Sequence, residues 1–205
     1  GFGGLWLLIG GLSTIAFGSV AVLAAQNMAR LAGASVLVSS GTLLAAVGTG
    51  QVAVTSGALF YLASSVLAIA GFFLLIELIE RGREVGADVL AVTREAFGEG
   101  EEDSLDEEGV GVAIPATTAI LGMSFMGCAL VLSGLPPLSG FLAKFAILAP
   151  LFGPGEGGLS AISWVFLAAL LLSGLATIIA MTRSGVDAFW MLSDGPAPRV
   201  HVAEI

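Results

Sequence analysis

Long apolar runs dominate the sequence, several of them near or above the roughly 18 residues that mark a membrane helix. Hydrophobic residues make up 57% of the chain and charged residues 11%, and the mean hydropathy is +1.01. A water-soluble domain with this composition would have too little polar surface to cover itself. The chain therefore reads as an integral membrane protein.

The runs and the turns between them divide the chain into five units: 3–25, 31–47, 53–79, 112–152 and 160–181. Short polar stretches, "QNMAR" at 26–30, "GTGQ" at 48–51 and "GPGEGG" at 153–158, separate several of them. The expected fold is all-α: one polytopic membrane domain over 1–205 with five transmembrane helices, the fourth interrupted. Segment 80–111 is the long polar loop and 182–205 the tail. Within the loop, Val85, Val89, Leu90 and Val92 recur at roughly helical spacing, which suggests a helix lying along the membrane surface. The acidic, glycine-containing run Gly98–Glu108 reads as a solvated loop, with cation attraction or partner docking as the rival reading. In the tail, Phe189, Trp190 and Met191 read as an interfacial anchor.

Composition also excludes function classes. The net charge is −9, but most of the acid is confined to Glu77–Glu108, and no basic patch with interleaved aromatics suggests nucleic acid. Cys128 is the only cysteine and His201 the only histidine, so neither an internal disulfide nor a Cys/His metal cage can form. Cys128 reads as a small core residue. No embedded Ser/His arrangement, zinc-peptidase helix or pair of aspartates points to an enzyme. No cofactor is expected. The opening "GFGGLWLLIG" lacks a charged n-region and does not read as a signal peptide. It reads as a fragment that opens just before a helix.

The fourth unit, with 41 residues, is long for one crossing and short for two with a turn. As one interrupted span, it leaves Arg30, Arg81, Arg83, Arg94, Arg183 and Arg199 on the same side, while the turns at 48–51 and 153–158 carry no lysine or arginine. As two spans, it would move Arg183 and Arg199 across. The single interrupted span is the consistent choice, and it makes the acidic loop cytoplasmic. Every cation is then placed except Lys144, which stays in the membrane.

The interruption lies in "ALVLSGLPPLSGFLAKFAIL". Proline offers no N–H and clashes with the preceding turn, so Pro136 and Pro137, between Gly134 and Gly140, should end one half-helix near Leu135. A second should begin near Ser139, acting as its N-cap. Freed backbone groups cannot face lipid, and broken helices of this kind commonly build ion sites. Lys144 follows five residues after Ser139. A lysine at this depth is costly and marks a pathway or an ion pair, and desolvation makes it a candidate for reversible protonation. The rival reading has Lys144 snorkelling toward the headgroups beyond Phe152. Ser35, Ser39, Ser40 and Thr42 in the second unit and Thr55, Ser56, Ser64 and Ser65 in the third are either small packing residues or the lining of a hydrated path.

"GLPPLSGFLAKF" at 134–145 resembles the interrupted-helix motif of the antiporter-like proton-conducting membrane subunits. This superfamily includes the large membrane subunits of respiratory complex I and the D-type subunits of Mrp/Pha multisubunit cation/proton antiporters. "AAQNMARLAGASVLVSSGTLLAAVG" (24–48), "LFYLASSVLAIAGFFLLIELIERG" (59–82) and "MTRSGVDAFW" (181–190) are similar to the segments after its ninth helix, in its eleventh and at the end of its thirteenth. The serine-rich version is most similar to the D-type subunits. The resemblance implies helices nine to thirteen of the family fold, the second of two inverted five-helix repeats. It also implies that Lys144 is the charged residue of the interrupted twelfth helix, at one end of a proton path. Other relay positions depart from the family: Asn27 and Ala29 stand where an acid and a lysine precede Arg30, Ser39 lies near a usual histidine, and Ser64 and Ala68 replace a histidine and a lysine.

The expected function is a membrane subunit of a Na+(K+)/H+ antiporter in a bacterial cytoplasmic membrane, working with other subunits in a hetero-oligomer. Lys144, Pro136, Pro137, Ser139, Ser64, Ser65 and Ser39 are the ion-path candidates. Two alternatives stand beside it: a proton-pumping subunit of a respiratory or hydrogenase-type complex, and a non-conducting scaffold.

Overall fold

The computed structural model describes residues 3–97, 116–153 and 161–189. Its elements are α1 (Gly4–Ala24), α2 (Met28–Gly48), α3 (Val52–Phe97), α4 (Ala116–Ser133), α5 (Ser139–Leu148), a 3-10 turn over Ala149–Leu151, and α6 (Ala161–Phe189). Among the described residues there is no strand. Four helices are long and apolar enough to cross a membrane: α1, α2, the Val52–Arg81 part of α3, and α6. α1 and α2 have 21 residues each, about 32 Å at 1.5 Å per residue, which matches a hydrocarbon core of roughly 30 Å.

The fourth apolar unit forms two shorter helices, α4 and α5. Their contacts with α3 follow one antiparallel order. Phe125 packs against Phe72 at 5.9 Å between ring centroids, Cys128 lies against Gly71, Ser139 bonds Ser64, and Ala146 abuts Gly57. As the chain advances from α4 into α5, its partner on α3 recedes step by step, so the two short helices lie end to end.

Residues 82–97, expected as a separate surface helix, continue α3 without a break. The stretch contains no proline to stop it. α6 likewise runs past Met181 to Phe189, whose ring packs edge-on against Phe125 at 5.8 Å. The acidic run 98–108, Trp190, Met191, Arg199 and His201 lie outside the described residues.

Local chemistry explains the turns. The Asn27 side chain accepts from the Arg30 N–H at 2.8 Å and caps α2. Gly50 takes φ +68 between α2 and α3, a conformation that glycine adopts without strain. From α6, Arg183 Nη2 donates to the carbonyls of Leu23, at 3.0 Å, and Ala25. These are orphan acceptors at the C-terminus of α1, where a cation also meets the negative end of the helix dipole.

Small residues set how closely α1 and α2 pack. Gly4, Gly11 and Gly18 recur every seven residues and face Gly48, Gly41 with Ala45, and Val38 in antiparallel order. A Cβ on Gly11 would run into the Ala45 backbone, and one on Gly41 would stand 2.8 Å from the Ile15 nitrogen. Such backbone approach is the usual source of dispersion energy between membrane helices, where lipid tails are as apolar as leucine.

The buried interior has three layers. One apolar cluster joins Val22, Leu31, Val38, Phe72, Phe125 and Met181. The other joins Ile15, Ala45, Val54, Ile147, Phe166 and Leu170. Between them lie buried Ser39 and Thr42 of α2, Ser64 and Ser65 of α3, Ser133 of α4, and Ser173 and Thr177 of α6.

Gly11→Val should destabilise the protein by about 1–3 kcal/mol, the usual cost of overpacking. Gly10→Val, beside it on the same helix, meets open space and should leave stability unchanged. The melting temperatures of the two variant complexes in detergent check this. Equal values would mean that α1 and α2 do not depend on this approach.

Candidate ion path at the broken helix

α4 ends at Ser133, and Gly134 turns the chain at φ +79. The Leu135 N–H returns to the Leu130 carbonyl at 3.1 Å and the Gly134 N–H to that of Val131 at 3.2 Å. This pair of bonds is a Schellman stop. Pro136 and Pro137 have no N–H to strand, and the peptide bond between them is cis. The Leu138 N–H donates to the Leu135 carbonyl at 3.3 Å, and the Leu138 carbonyl accepts from Phe141 and Leu142. The link thus satisfies most of its own backbone.

Leu138, not Ser139, is the N-cap of α5. Its extended backbone, φ −82 and ψ 166, makes it the flanking residue. Ser139 is the first helical residue, and its hydroxyl accepts from Ser64 of α3 at 3.0 Å. The expectation of a capping serine is corrected accordingly: the hydroxyl ties two helices together.

Lys144 supplies what the stop leaves open. Its Nζ donates to the Ser133 carbonyl at 2.8 Å, an orphan acceptor at the negative end of α4. A helical side chain leans toward its own N-terminus, and here that direction leads back to the break, away from Phe152. Two glycines make the seat: a Cβ on Gly134 would lie 2.9 Å from Nζ and one on Gly174 would lie 3.6 Å from it. The lysine borders a groove of about 460 Å³ between the link, α5 and α6, lined mainly by apolar residues such as Phe141, Phe145, Leu171 and Leu175. Pro136 also lines this groove.

Ser39, Ser64 and Ser65 are brought together on the other side of α5. They line a small cavity of about 20 Å³ with Ser35, Tyr61 and Thr177. Ser39 Oγ donates to Tyr61 Oη at 3.2 Å, and Ser65 Oγ to the Leu62 carbonyl at 3.2 Å. Val38, Ala68, Val131, Leu132 and Gly140 complete the wall. Lys144 is one turn beyond Gly140 on α5 and is not part of this lining.

Sequence reasoning missed Tyr61 and Thr177. A signal for the first was present: Tyr61, Ser64, Ser65 and Ala68 follow the i, i+3, i+4, i+7 spacing of one helix face. Asn27, where the resemblance sets an acid, is the α2 cap, and Arg30 is exposed. No cluster of three or more metal-ligating side chains occurs among the described residues.

Comparison with known proteins shows the family. A family profile described as NADH:quinone oxidoreductase/Mrp antiporter, transmembrane, matches residues 3–177. The D-type subunit of a probable K+/H+ antiporter from Rhizobium meliloti is 59% identical over 209 residues, covering 100% of this chain and 39% of the relative. The D-type subunit of the Na+/H+ antiporter from Bacillus subtilis is 28% identical over 86% of the chain and 30% of its own length. The N-type subunit of the NADH-quinone oxidoreductase from Salinibacter ruber is 29% identical over 88% of the chain and 31% of its own length. The chain thus spans between three and four tenths of these relatives. No solved structure matches it significantly. The chain belongs to the NADH:quinone oxidoreductase/Mrp antiporter transmembrane family.

Proposed function

We propose that this chain is part of a D-type subunit of a multisubunit monovalent cation/proton antiporter in a bacterial inner membrane, and that Lys144 carries the proton. The observation that carries the reading is the Lys144–Ser133 bond at a helix break, at the depth where polar side chains replace the apolar core. The name of the Rhizobium relative supports the antiporter class. On this reading α4 and α5 form one interrupted crossing, which brings the crossings of the chain to five and makes it the second of two inverted repeats. The side bearing Arg30, Arg81 and Arg183 is cytoplasmic, and the other subunits complete the path.

The arrangement supports a simple proton step. Charged Lys144 is held by the carbonyl end of α4. Loss of the proton removes most of that electrostatic hold and frees the side chain to move. The link, with two prolines and a glycine at positive φ, can yield there without unwinding either helix. Exchange of protons for Na+ or K+ in unequal number would draw on the membrane potential, at about 2.3 kcal/mol per charge per 100 mV. A second reading, a redox-driven proton-pumping subunit, is favoured by the N-type oxidoreductase relatives, which are 27–30% identical. Copurification with iron–sulfur or flavin subunits would select it.

The test is cation-dependent proton movement in everted vesicles carrying the whole complex. Lys144→Ala should abolish it while the complex still assembles. Lys144→Arg keeps the charge and a donor for Ser133 but does not release its proton, and it too should lose activity by about a hundredfold. Full activity in the arginine variant would reduce Lys144 to a fixed helix cap. Full activity in both would make this half a scaffold.

A separate prediction concerns the seat. Gly134→Ala puts a side chain at positive φ, a strain of order 1–3 kcal/mol, and into the space of the lysine chain, 2.8 Å from its Cδ. It should lower both the melting temperature and the transport rate. A fall in melting temperature alone would mean that the lysine tolerates displacement.

A further inference from the structure

The cavity behind α5 sits where the family resemblance sets titratable residues, yet its polar lining consists of hydroxyls, set among Val38, Ala68, Val131, Leu132 and Gly140. We infer that it holds a single ordered water, which passes protons between two hydroxyl pairs, and that it is not a station for the metal cation. The role in proton passage rests on the reading of Lys144 given above; the water site stands on the cavity itself.

Size is the first argument. About 20 Å³ exceeds the 10–15 Å³ that one water centre requires and leaves no room for a chain of them. The lining is the second. Ser35, Ser39, Tyr61, Ser64, Ser65 and Thr177 all reach it and are all buried, while a buried water needs two to four polar partners. Hydrogen bonding sorts these hydroxyls into two kinds. Ser35, Ser65 and Thr177 donate to the backbone carbonyls of Leu31, Leu62 and Ser173. A carbonyl can only accept, so these three protons are fixed and their oxygens can offer only lone pairs. Ser39–Tyr61 and Ser64–Ser139 are hydroxyl–hydroxyl pairs, and either member of such a pair can be the donor.

A water held by the fixed oxygens therefore lies between two reversible pairs. One pair leads to α2, and the other leads to the first turn of α5, the helix that carries Lys144. A proton delivered to one end of such a row leaves from the other. Each O–H bond breaks as the next one forms, so atoms and charge balance without a co-reactant. A reversal of the pairs resets the row.

Charge decides against the metal. Among the described residues no carboxylate lines this cavity. An alkali ion stripped of its water here would have hydroxyl dipoles but no counter-charge, at a depth where an uncompensated charge costs several kcal/mol. A neutral water carries no such penalty. The transported cation then crosses elsewhere in the complex.

The experiment is radiolytic hydroxyl-radical labelling of the intact complex, read at Tyr61, together with transport in vesicles. Radicals formed from a bound water mark the side chain beside it. Tyr61 should be labelled far above buried Phe72, which lies in an apolar cluster. Ala68→Val fills the site; Tyr61 labelling and proton movement should both fall by about tenfold, a loss of 1.4 kcal/mol in rate terms. Should that variant not assemble, Ser64→Ala breaks one pair and keeps the space: labelling persists and proton movement falls. In both variants the cation concentration for half-maximal rate stays the same. Unlabelled Tyr61 in the wild type overturns the water site. A rise in that cation concentration makes the cavity the cation's own. If Lys144→Ala leaves transport intact, the proposed function fails, but the labelling still decides whether the water is there.

Discussion

A backbone carbonyl inside hydrocarbon must have a partner, and the Ser133 carbonyl finds it in Lys144. Everything around the break follows from that requirement. The glycine at positive φ and the two returning bonds close most of the helix end. The prolines bring no donors that would need acceptors. What is left is a negative helix terminus that a cation can satisfy. Because Gly134 and Gly174 have no side chains, the ammonium can reach it. The same solution recurs at the rim of the bundle, where Arg183 covers the end of α1. At the rim the cation is an exposed arginine. At the break it is a lysine, which can lose its charge.

The apolar runs were legible because lipid imposes a single rule on the backbone. Their ends were less so. Nothing in 80–97 stops a helix, so the helical spacing seen there belongs to the same helix as the span before it, which runs on to Phe97. The break was legible from Pro136–Pro137, and its lysine from charge alone. The part played by Ser139 was not: capping depends on which residue takes extended φ and ψ, and the link gave that place to Leu138. The serines that meet behind α5 could be listed, but their meeting could not. Ser39 comes from α2, Ser64 and Ser65 from α3, and Thr177 from α6, and no local pattern records which faces will converge. Tyr61 shares the periodic face of Ser64 and Ser65, and a lone tyrosine among serines was the clue passed over.

Glycines were the least readable feature. Gly10 and Gly11 are neighbours in sequence, yet one faces open space and the other the backbone of α2. The seven-residue spacing of Gly4, Gly11 and Gly18 separates them only when matched with Gly48, Gly41 and Val38 on the opposing helix. Packing of this kind is a property of a pair of helices, and neither sequence carries it alone.

The three-layered interior has an electrical consequence. A field applied across the bundle falls mainly over its least polarisable parts. Here those are the two apolar clusters, while the layer of hydroxyls between them, with Lys144 beside it, stays close to one potential. A proton held in that layer is therefore poised between the two sides of the membrane. Moving it out through either apolar cluster crosses only part of the voltage, roughly 1 kcal/mol per 100 mV if the two share it equally. On the proposed function, the two steps can then be opened at different times, and the middle of the protein would serve as an insulated terminal and not as a continuous wire.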